Sequence, residues 1–564
     1  MSTKILIVIF LQIGFIITLN SQVTKEWVRK YSSPNCATTQ GIAIATDPKG
    51  NIYVGGANVD TTDYPEDLTF GFTVIKYNSD GVFQWEQIYN GPGKMDNCRY
   101  LAVDKSGNVY ASGMSEGNGT SLDFLTIKYN TDGVRQWVQR YDGETHEDDY
   151  ISDMKIDDFG NVFVTGMGQG EEKYDTDDQG RSFITIKYDS TGVQKWINKY
   201  NHTNTLNPGR DWPYGMAIDN AGNIYVTGYT VGIEGTLSFI EQCATVKYNN
   251  AGDLLWVQRY SINNISGISI SPTAIAVNTS GDVFVTGACS YQPSTGVDYF
   301  TIKYSSSGVL QWENVYSGPD NGEDVPTSIA TDHNNVYVTG RSMGSTTDFD
   351  YATVKYNYSG VNQWVKRYNG PVNGEDIPYS LKVDTGGVYL TGSSSRAIGD
   401  GPTDFVTIKY DSFGNLKWLE RYTGDLTDQC GGASLALNSS GDVYVTGYNF
   451  DSTKTSIATI KYSQKPVTSL QTITDFTDGF QLSQNYPNPF LTTTNIQYTI
   501  PVVSFVSLKI YDLLGKEVRK LVNEPKEPGT YEVTLEASEL EGGIYIYQIM
   551  AGGFKDAKKL VVIK

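Results

Sequence analysis

Apolar and polar residues alternate with period two in short runs along most of this chain, and the runs repeat. Ile224-Tyr225-Val226-Thr227-Gly228 and residues 336–340 and 443–447 combine that alternation with β-branched and aromatic side chains, which predicts strands. Asp104-Lys105-Ser106-Gly107-Asn108 and residues 219–223 and 438–442 are tight-turn sequences, because Gly and Asn accept positive φ. One complete unit holds residues 101–103, the turn, 109–113, 123–129, a second turn at 130–133, and 136–141, which is four short strands.

The unit recurs at a fixed period, the mark of a repeat array. A Lys-Tyr pair ends the third strand at 76–77, 128–129, 187–188, 247–248, 303–304, 355–356, 409–410 and 461–462, spaced 52 to 60 residues apart. The fourth strand carries Trp85, Trp137, Trp196, Trp256, Trp312, Trp364 and Trp418, one fewer than the Lys-Tyr pairs. Trp27, in Glu26-Trp27-Val28-Arg29-Lys30-Tyr31, stands before the first pair and supplies the missing strand. Closure by an N-terminal strand protects sheet edges. The pattern predicts an all-β fold, an eight-bladed β-propeller over residues 23–462.

A glycine precedes each of the seven tryptophans from Trp85 to Trp418 by four residues, as in Gly81/Trp85, Gly133/Trp137 and Gly360/Trp364. This hairpin resembles the docking motif of quinoprotein propellers, in which an outer-strand tryptophan straps neighbouring blades together. Over residues 26–462 the repeat resembles the bacterial SBBP β-propeller family. That resemblance implies architecture only, since the family has no single activity. The vicinal cysteine pair of quinoprotein dehydrogenases does not occur here.

Met1 to Gln22 has an early Lys4, an apolar run over residues 5–19 and then Ser21-Gln22, which reads as a secretory signal peptide. Beyond it no segment reads as a transmembrane span. A Ser/Thr/Gln-rich linker at 463–479 leads to strand-like segments at 495–500, 506–512, 516–521, 530–535, 544–550 and 558–563, a small Ig-like β-sandwich over 480–564. Asn485-Tyr486-Pro487-Asn488-Pro489-Phe490, residues 510–518, Gly543-Ile544-Tyr545-Ile546-Tyr547 and residues 558–564 resemble the type A C-terminal sorting domain of the type IX secretion system. The resemblance implies recognition by that machinery, passage across the outer membrane of a Bacteroidota-type bacterium, and loss of the domain on release or anchoring.

A net charge of −20 over 564 residues argues against nucleic acid and anionic membranes as partners. Cys36, Cys98, Cys243, Cys289 and Cys430 show no metal-ligand spacing, and read as unoxidised thiols; Cys36 with Cys98 or Cys430 is the alternative disulfide. His146, His202 and His333 have no catalytic motif around them.

The acidic pattern is the better signal. Eight residues before the Asp that ends each first strand stand Asp96, Asp149, Asp211, Asp324 and Asp376, replaced in units 1, 5 and 8 by Thr39, Ile270 and Cys430. They are expected either to cap their own loops or to ring the channel mouth as ligands for a cation or a sugar, with Asp123, Asp298, Asp350 and Asp404 opening on the same face. Paired carboxylates could also hydrolyse a glycoside. The stretches 57–71 and 167–181 read as the longest loops. The second contains Asp175, Asp177 and Gln179 at alternate positions before a Gly, which suits Ca²⁺, although Ile186 stands where the bidentate Glu of such a loop belongs. Tyr64, Trp212, Tyr214, Tyr291 and Tyr379 are expected to stack on sugars; Trp212 alone lies outside the docking series. The expected function is an exported binding or scaffold protein for a carbohydrate or protein ligand. A glycoside hydrolase or lyase using the same carboxylates and a structural adhesion component are the alternatives.

Overall fold

The computed structural model describes residues 23–34, 36–63, 67–169, 180–202, 210–234, 238–262, 269–290, 296–397, 401–424, 429–451, 454–464, 481–500, 504–513, 515–526, 529–551 and 554–564. The chain divides into two compact units at Val467 and Thr468.

The first unit is all-β and assembled from antiparallel four-stranded sheets, whose strands we label A to D in chain order. Sheet 1 holds Cys36–Thr46, Ile52–Asp63, Asp67–Tyr77 and Phe83–Tyr89. Sheet 2 holds Asp96–Val103, Val109–Glu116, Leu122–Tyr129 and Arg135–Tyr141. Sheets 3 to 7 follow the same order, with A strands Tyr150–Ile156, Trp212–Ile218, Ile270–Val277, Asp324–Thr331 and Asp376–Asp384. Sheet 8 holds Gln429–Leu437, Val443–Phe450 and Thr455–Ser463, and its fourth strand is β1 (Thr24–Tyr31). Each A strand packs against the A strand of the next sheet, and that of sheet 8 packs against that of sheet 1. A single parallel bridge, Thr38 to Thr455, links sheets 1 and 8.

The core lies between neighbouring sheets. Tyr53, Phe72 and Val74 of sheet 1 meet Cys98, Val109, Leu125 and Ile127 of sheet 2, all at most 2 % exposed. Strands B and C are therefore apolar on both faces, as buried strands must be. Each A–B turn closes on an Asx residue: Asp104 Oδ1 accepts the N–H groups of Ser106 and Asn108, both at 2.9 Å, with Gly107 at φ 83°.

The Lys-Tyr and tryptophan series form one contact across each sheet boundary. Trp85 pairs with Lys76 in register, and both donate to the Thr131 carbonyl of sheet 2, at 3.1 and 2.7 Å. Trp137 and Lys128 hold Ser190 O, Trp196 and Lys187 hold Asn250 O, and Trp256 and Lys247 hold Ser306 O. Trp312 and Lys303 hold Tyr358 O, and Trp364 and Lys355 hold Ser412 O. Trp418 and Lys409 share the Gln464 side-chain oxygen. Trp27 pairs with Lys461 in the same register, and Lys461 reaches Ser79 O of sheet 1. The docking glycine belongs to the following sheet: Gly133 lies against Trp85, Gly192 against Trp137, Gly81 against Trp27.

One sequence expectation changes, and the reading of the cysteines as unoxidised thiols holds. Residues 57–71 are not a loop, because the B and C strands of sheet 1 continue to Asp63 and restart at Asp67, with Val59 paired to Phe70. None of the five cysteines is in a disulfide; Cys98, Cys243, Cys289 and Cys430 are buried, and Asn58 Nδ2 donates to Cys36 Sγ at 3.1 Å. The repeat lysines bond the neighbouring sheet's backbone, not the A-strand aspartates.

The second unit has two sheets. Gln481–Leu482, Thr493–Ile500 and Gly529–Glu536 form one; Glu517–Lys526, Ser504–Tyr511, Gly543–Ala551 and Phe554–Val562 form the other. All six expected strands are present. Ile496, Tyr498 and Ile500 face Val506, Leu508, Ile510, Tyr547 and Ile549 across one core. The Asn-Tyr-Pro-Asn-Pro-Phe segment pins the terminal strand. Asn488 Oδ1 accepts the Val561 N–H at 2.8 Å, Asn488 Nδ2 donates to Lys559 O at 3.0 Å, and Phe490 is buried. Among the described residues no helix is long and apolar enough to cross a membrane.

Candidate functional site

The five pattern aspartates open the A strands or immediately precede them, and each is at most 1 % exposed. Asp96 takes the Gly91 N–H at 2.6 Å, Asp149 that of Gly143 at 2.5 Å, and Asp324 that of Gly318 at 2.5 Å. Asp376 takes the Gly370 N–H, and Asp211 takes the His202 N–H at 2.8 Å and the Thr230 hydroxyl. They lie behind the D-to-A loops that they cap, rather than open to the mouth. Arg140, Arg367 and Arg421 of the D strands complete the packing. They bind Asp123, Asp350 and Asp404 at 2.7, 2.8 and 2.9 Å, and also Ser115, Ser342 and Ser394. Burial pushes Asp211 and Asp376 up to about 6, against the hydrogen bonds that they accept.

Three carboxylates meet where sheet 2 joins sheet 3. Asp123, Asp142 and Asp149 place oxygens within 4.8 Å of one another, and His146 Nδ1 stands 2.7 Å from Asp142. Asp142 is special to this junction, since Asn90, Asn201, Ser317, Asn369 and Thr423 occupy the place elsewhere. With Asp123 and Asp149 buried, a glycosidic bond has no access to the pair. Asp175, Asp177, Gln179, Tyr64 and Tyr291 lie outside the described residues. His202 is half-buried, with its pKa lowered by burial and by Arg259. His333 lies at the far end of the strands, beside a cavity of about 840 Å³ among the A–B turns.

The exposed side chains at the aspartate end include aromatic and cationic ones, beside acidic ones such as Glu147 and Glu375. Trp212, Tyr150, Tyr214 and Tyr379 are 36 to 46 % exposed. Trp212 and Tyr150 directly follow capping aspartates, so the buried carboxylates fix where these rings stand. Arg181 lies over the Trp212 ring, 4.4 Å from its centroid. Tyr150 donates to Asp148 at 2.8 Å; burial and Asp148 push its phenol up, while Arg181 and Arg99 pull it down. Arg99, Tyr150, Arg181 and Trp212 thus alternate cation and ring across sheets 2, 3 and 4.

Tyr214, Tyr379 and Arg99 owe their position to a β-bulge. In every sheet the A–B register slips by one residue, at Ile42, Arg99, Ser152, Tyr214, Thr273, Thr327, Tyr379 and Ala433. A bulged residue is unpaired in the ladder and its side chain is re-aimed. Beyond the bulges lies a cavity of about 950 Å³, lined by A strands of sheets 1, 2, 3, 7 and 8, including Arg99, Asp153, Lys155, Tyr379 and Lys382. Sequence reasoning passed over Arg99, Lys155 and Lys382. The available signal was that Ala45, Ala102, Ala217, Ala276, Ala330 and Ala436 occupy the position that Lys155 and Lys382 fill in sheets 3 and 7.

Residues 484–564 match the family model of the secretion system C-terminal sorting domain. Residues 207–233 match that of the β-propeller repeat. The chain thus carries a β-propeller repeat and a secretion-system sorting domain. Such a domain directs export, so this β-propeller-repeat protein is secreted or displayed at the cell surface. No curated protein sequence matches it. Among solved structures it is similar to the polysaccharide lyase Uly1, with 13 % identity over 78 % of this chain and 99 % of that one and a TM-score of 0.41. It is also similar to the β-propeller domain of the Trilobed protease from Pyrococcus furiosus, with 7 % identity over 69 % and 95 % and a TM-score of 0.35. Both likenesses are too distant to bear on ligand or chemistry.

Proposed function

We propose that this is an exported carbohydrate-binding protein: an eight-bladed propeller closed by β1, an Ig-like sorting sandwich recognised by type IX machinery, and residues 1–22 as signal peptide. The observation that carries the binding reading is the set of half-exposed rings at one end of the A strands, Tyr150, Trp212 and Tyr214 on sheets 3 and 4 and Tyr379 on sheet 7. Rings that are rigidly held and left accessible stack on sugars at little entropic cost. Supporting the ring of eight are the shared Trp–Lys register in all eight sheets and the packing of sheet 8 on sheet 1. The capping aspartates act here as supports, holding the D-to-A loops from which Tyr150 and Trp212 project.

The test is glycan-array screening of the mature protein followed by calorimetry. Trp212→Ala should weaken the best hit at least tenfold with an unchanged unfolding midpoint. An array with no hit for the folded parent protein would sink the reading.

A further inference from the structure

We propose that the cavity beneath the aromatic mouth is an anion subsite, built by Arg99, Lys155 and Lys382, which makes the protein selective for acidic glycans bearing uronate carboxylates or ester sulfates. The carbohydrate part rests on the binding reading above; the anion subsite does not.

The argument begins with what the cations are doing. The eight repeat lysines, and Arg140, Arg367 and Arg421, all spend their donors on protein oxygens. Arg99 and Lys382 are exposed to the cavity, and among the described residues neither has a hydrogen bond or ion pair. Lys155 lies 2.5 Å from Asp153, the one acidic side chain at its level on these A strands. Asp384, at the foot of sheet 7's A strand, is engaged instead by the Gly386 N–H at 2.6 Å. The cavity lining thus carries three cations, Arg99, Lys155 and Lys382, against two carboxylates, Asp153 and Asp384, in a chain whose net charge is −20.

Their placement differs from the repeat in a specific way. Six sheets carry alanine where sheets 3 and 7 carry lysine, and these two sheets stand four apart in the series. Lys155 and Lys382 nevertheless sense each other: enclosure first, and then Lys155, lower the Lys382 pKa, with Asp153 opposing. Like charges that line one cavity are stabilised by an anion bound between them. Arg99 sits one layer nearer the mouth, on the bulge, and also faces Tyr150. A chain stacked on the rings would therefore pass its acidic substituents to Arg99 and then to the lysine layer. A cavity of about 950 Å³ admits such a group with part of its sugar.

The experiment is calorimetry on the mature protein with three probes: sodium sulfate, a neutral oligosaccharide, and uronate and sulfated oligosaccharides of equal length. Lys382→Ala restores the residue of six other sheets and so preserves the fold; Arg99→Ala and Lys382→Arg accompany it. Expected are tight binding of an acidic oligosaccharide, a loss of at least tenfold in each alanine variant, retention in Lys382→Arg, and weakening between 50 and 300 mM NaCl. The uronate and sulfate arms identify the source of the anion. Sulfate binding that is lost in Lys382→Ala, with no oligosaccharide bound, would uphold the subsite and overturn the carbohydrate reading. Neutral and acidic chains bound equally, with the variants unaffected, would overturn the subsite and leave that reading standing. No anion bound by the folded protein would overturn it too.

Discussion

Gly133 and Trp85 face each other across the boundary between sheets 1 and 2: a Cβ on Gly133 would stand 2.9 Å from the indole. The glycine also has φ 81°, so two separate constraints act on one residue. Gly133→Ala should lose roughly 3 kcal/mol by chemical denaturation, combining left-handed strain with overpacking. Gly119 has φ 82° and nothing within 4 Å of its Cβ position, so Gly119→Ala should lose only about 1 kcal/mol. Equal losses would show that the indole contact contributes nothing.

Trp137 donates to Ser190 O at 3.2 Å, whereas the buried Trp27 Nε1 has no acceptor among the described residues. Trp137→Phe should therefore cost about 1 kcal/mol more than Trp27→Phe, the ordinary worth of a hydrogen bond. Matched urea-unfolding curves measure the difference.

The stability of the first unit should peak on the acid side of neutrality. Asp211 and Asp376 titrate near 6 in the folded chain against 3.8 ordinarily, so the folded state keeps protons that the unfolded state releases. Their contribution is complete below about pH 4 and is lost as pH rises through about 6, on the order of 3 kcal/mol per group. Asp219 and Asp332 work in the opposite sense. Burial raises them, but hydrogen bonds from Asn223, Tyr225, Asn335 and Tyr337 outweigh it and hold both below the usual range, so their stabilisation fails under acid. Asp376→Asn keeps an acceptor for Gly370 and should flatten the decline between pH 4 and 7; an unchanged slope would exclude Asp376 as its source.

At the sheet 2–sheet 3 junction, Asp142→Asn installs the residue already present at Asn90, Asn201 and Asn369. Removing one of three carboxylates within 4.8 Å of each other should raise stability by on the order of 1 kcal/mol in EDTA and low salt. The gain should shrink in high salt. A loss under those conditions would mean that Asp142 serves its loop through hydrogen bonds rather than opposing its neighbours.

In the sorting domain, Asn488→Ala removes both side-chain bonds to the terminal strand. Amide exchange should rise selectively over residues 558–563, while Ile496 and Tyr498 stay protected. Uniform acceleration across both sheets would show that the segment holds the whole sandwich together.

Much of this was legible because it repeats. Trp27 could be assigned to the last sheet from a count, since seven tryptophans served eight Lys-Tyr pairs. The capping aspartates were found by spacing, yet an acidic residue before a strand reads equally as a solvent-facing ligand. Their burial follows from glycines such as Gly91 and Gly318, whose N–H groups turn inward. Arg99 escaped notice because the bulge breaks period-two alternation at that residue, so its facing could not be read. Lys155 and Lys382 escaped because one charged residue in a strand looks like a solvated edge until six alanines are aligned beneath it.

Trp27 and Lys461 are adjacent in space and 434 residues apart in sequence. β1 thus finds its partner only after the other described strands of the first unit have been synthesised, and no earlier stretch of chain can substitute for residues 455–463. Pairing of β1 therefore reports completeness: a chain cut short before Thr455 leaves β1 a bare edge, open to proteases and aggregation, while an intact one hides it. For a protein that is secreted or displayed at the cell surface, that single ladder doubles as its own inspection step.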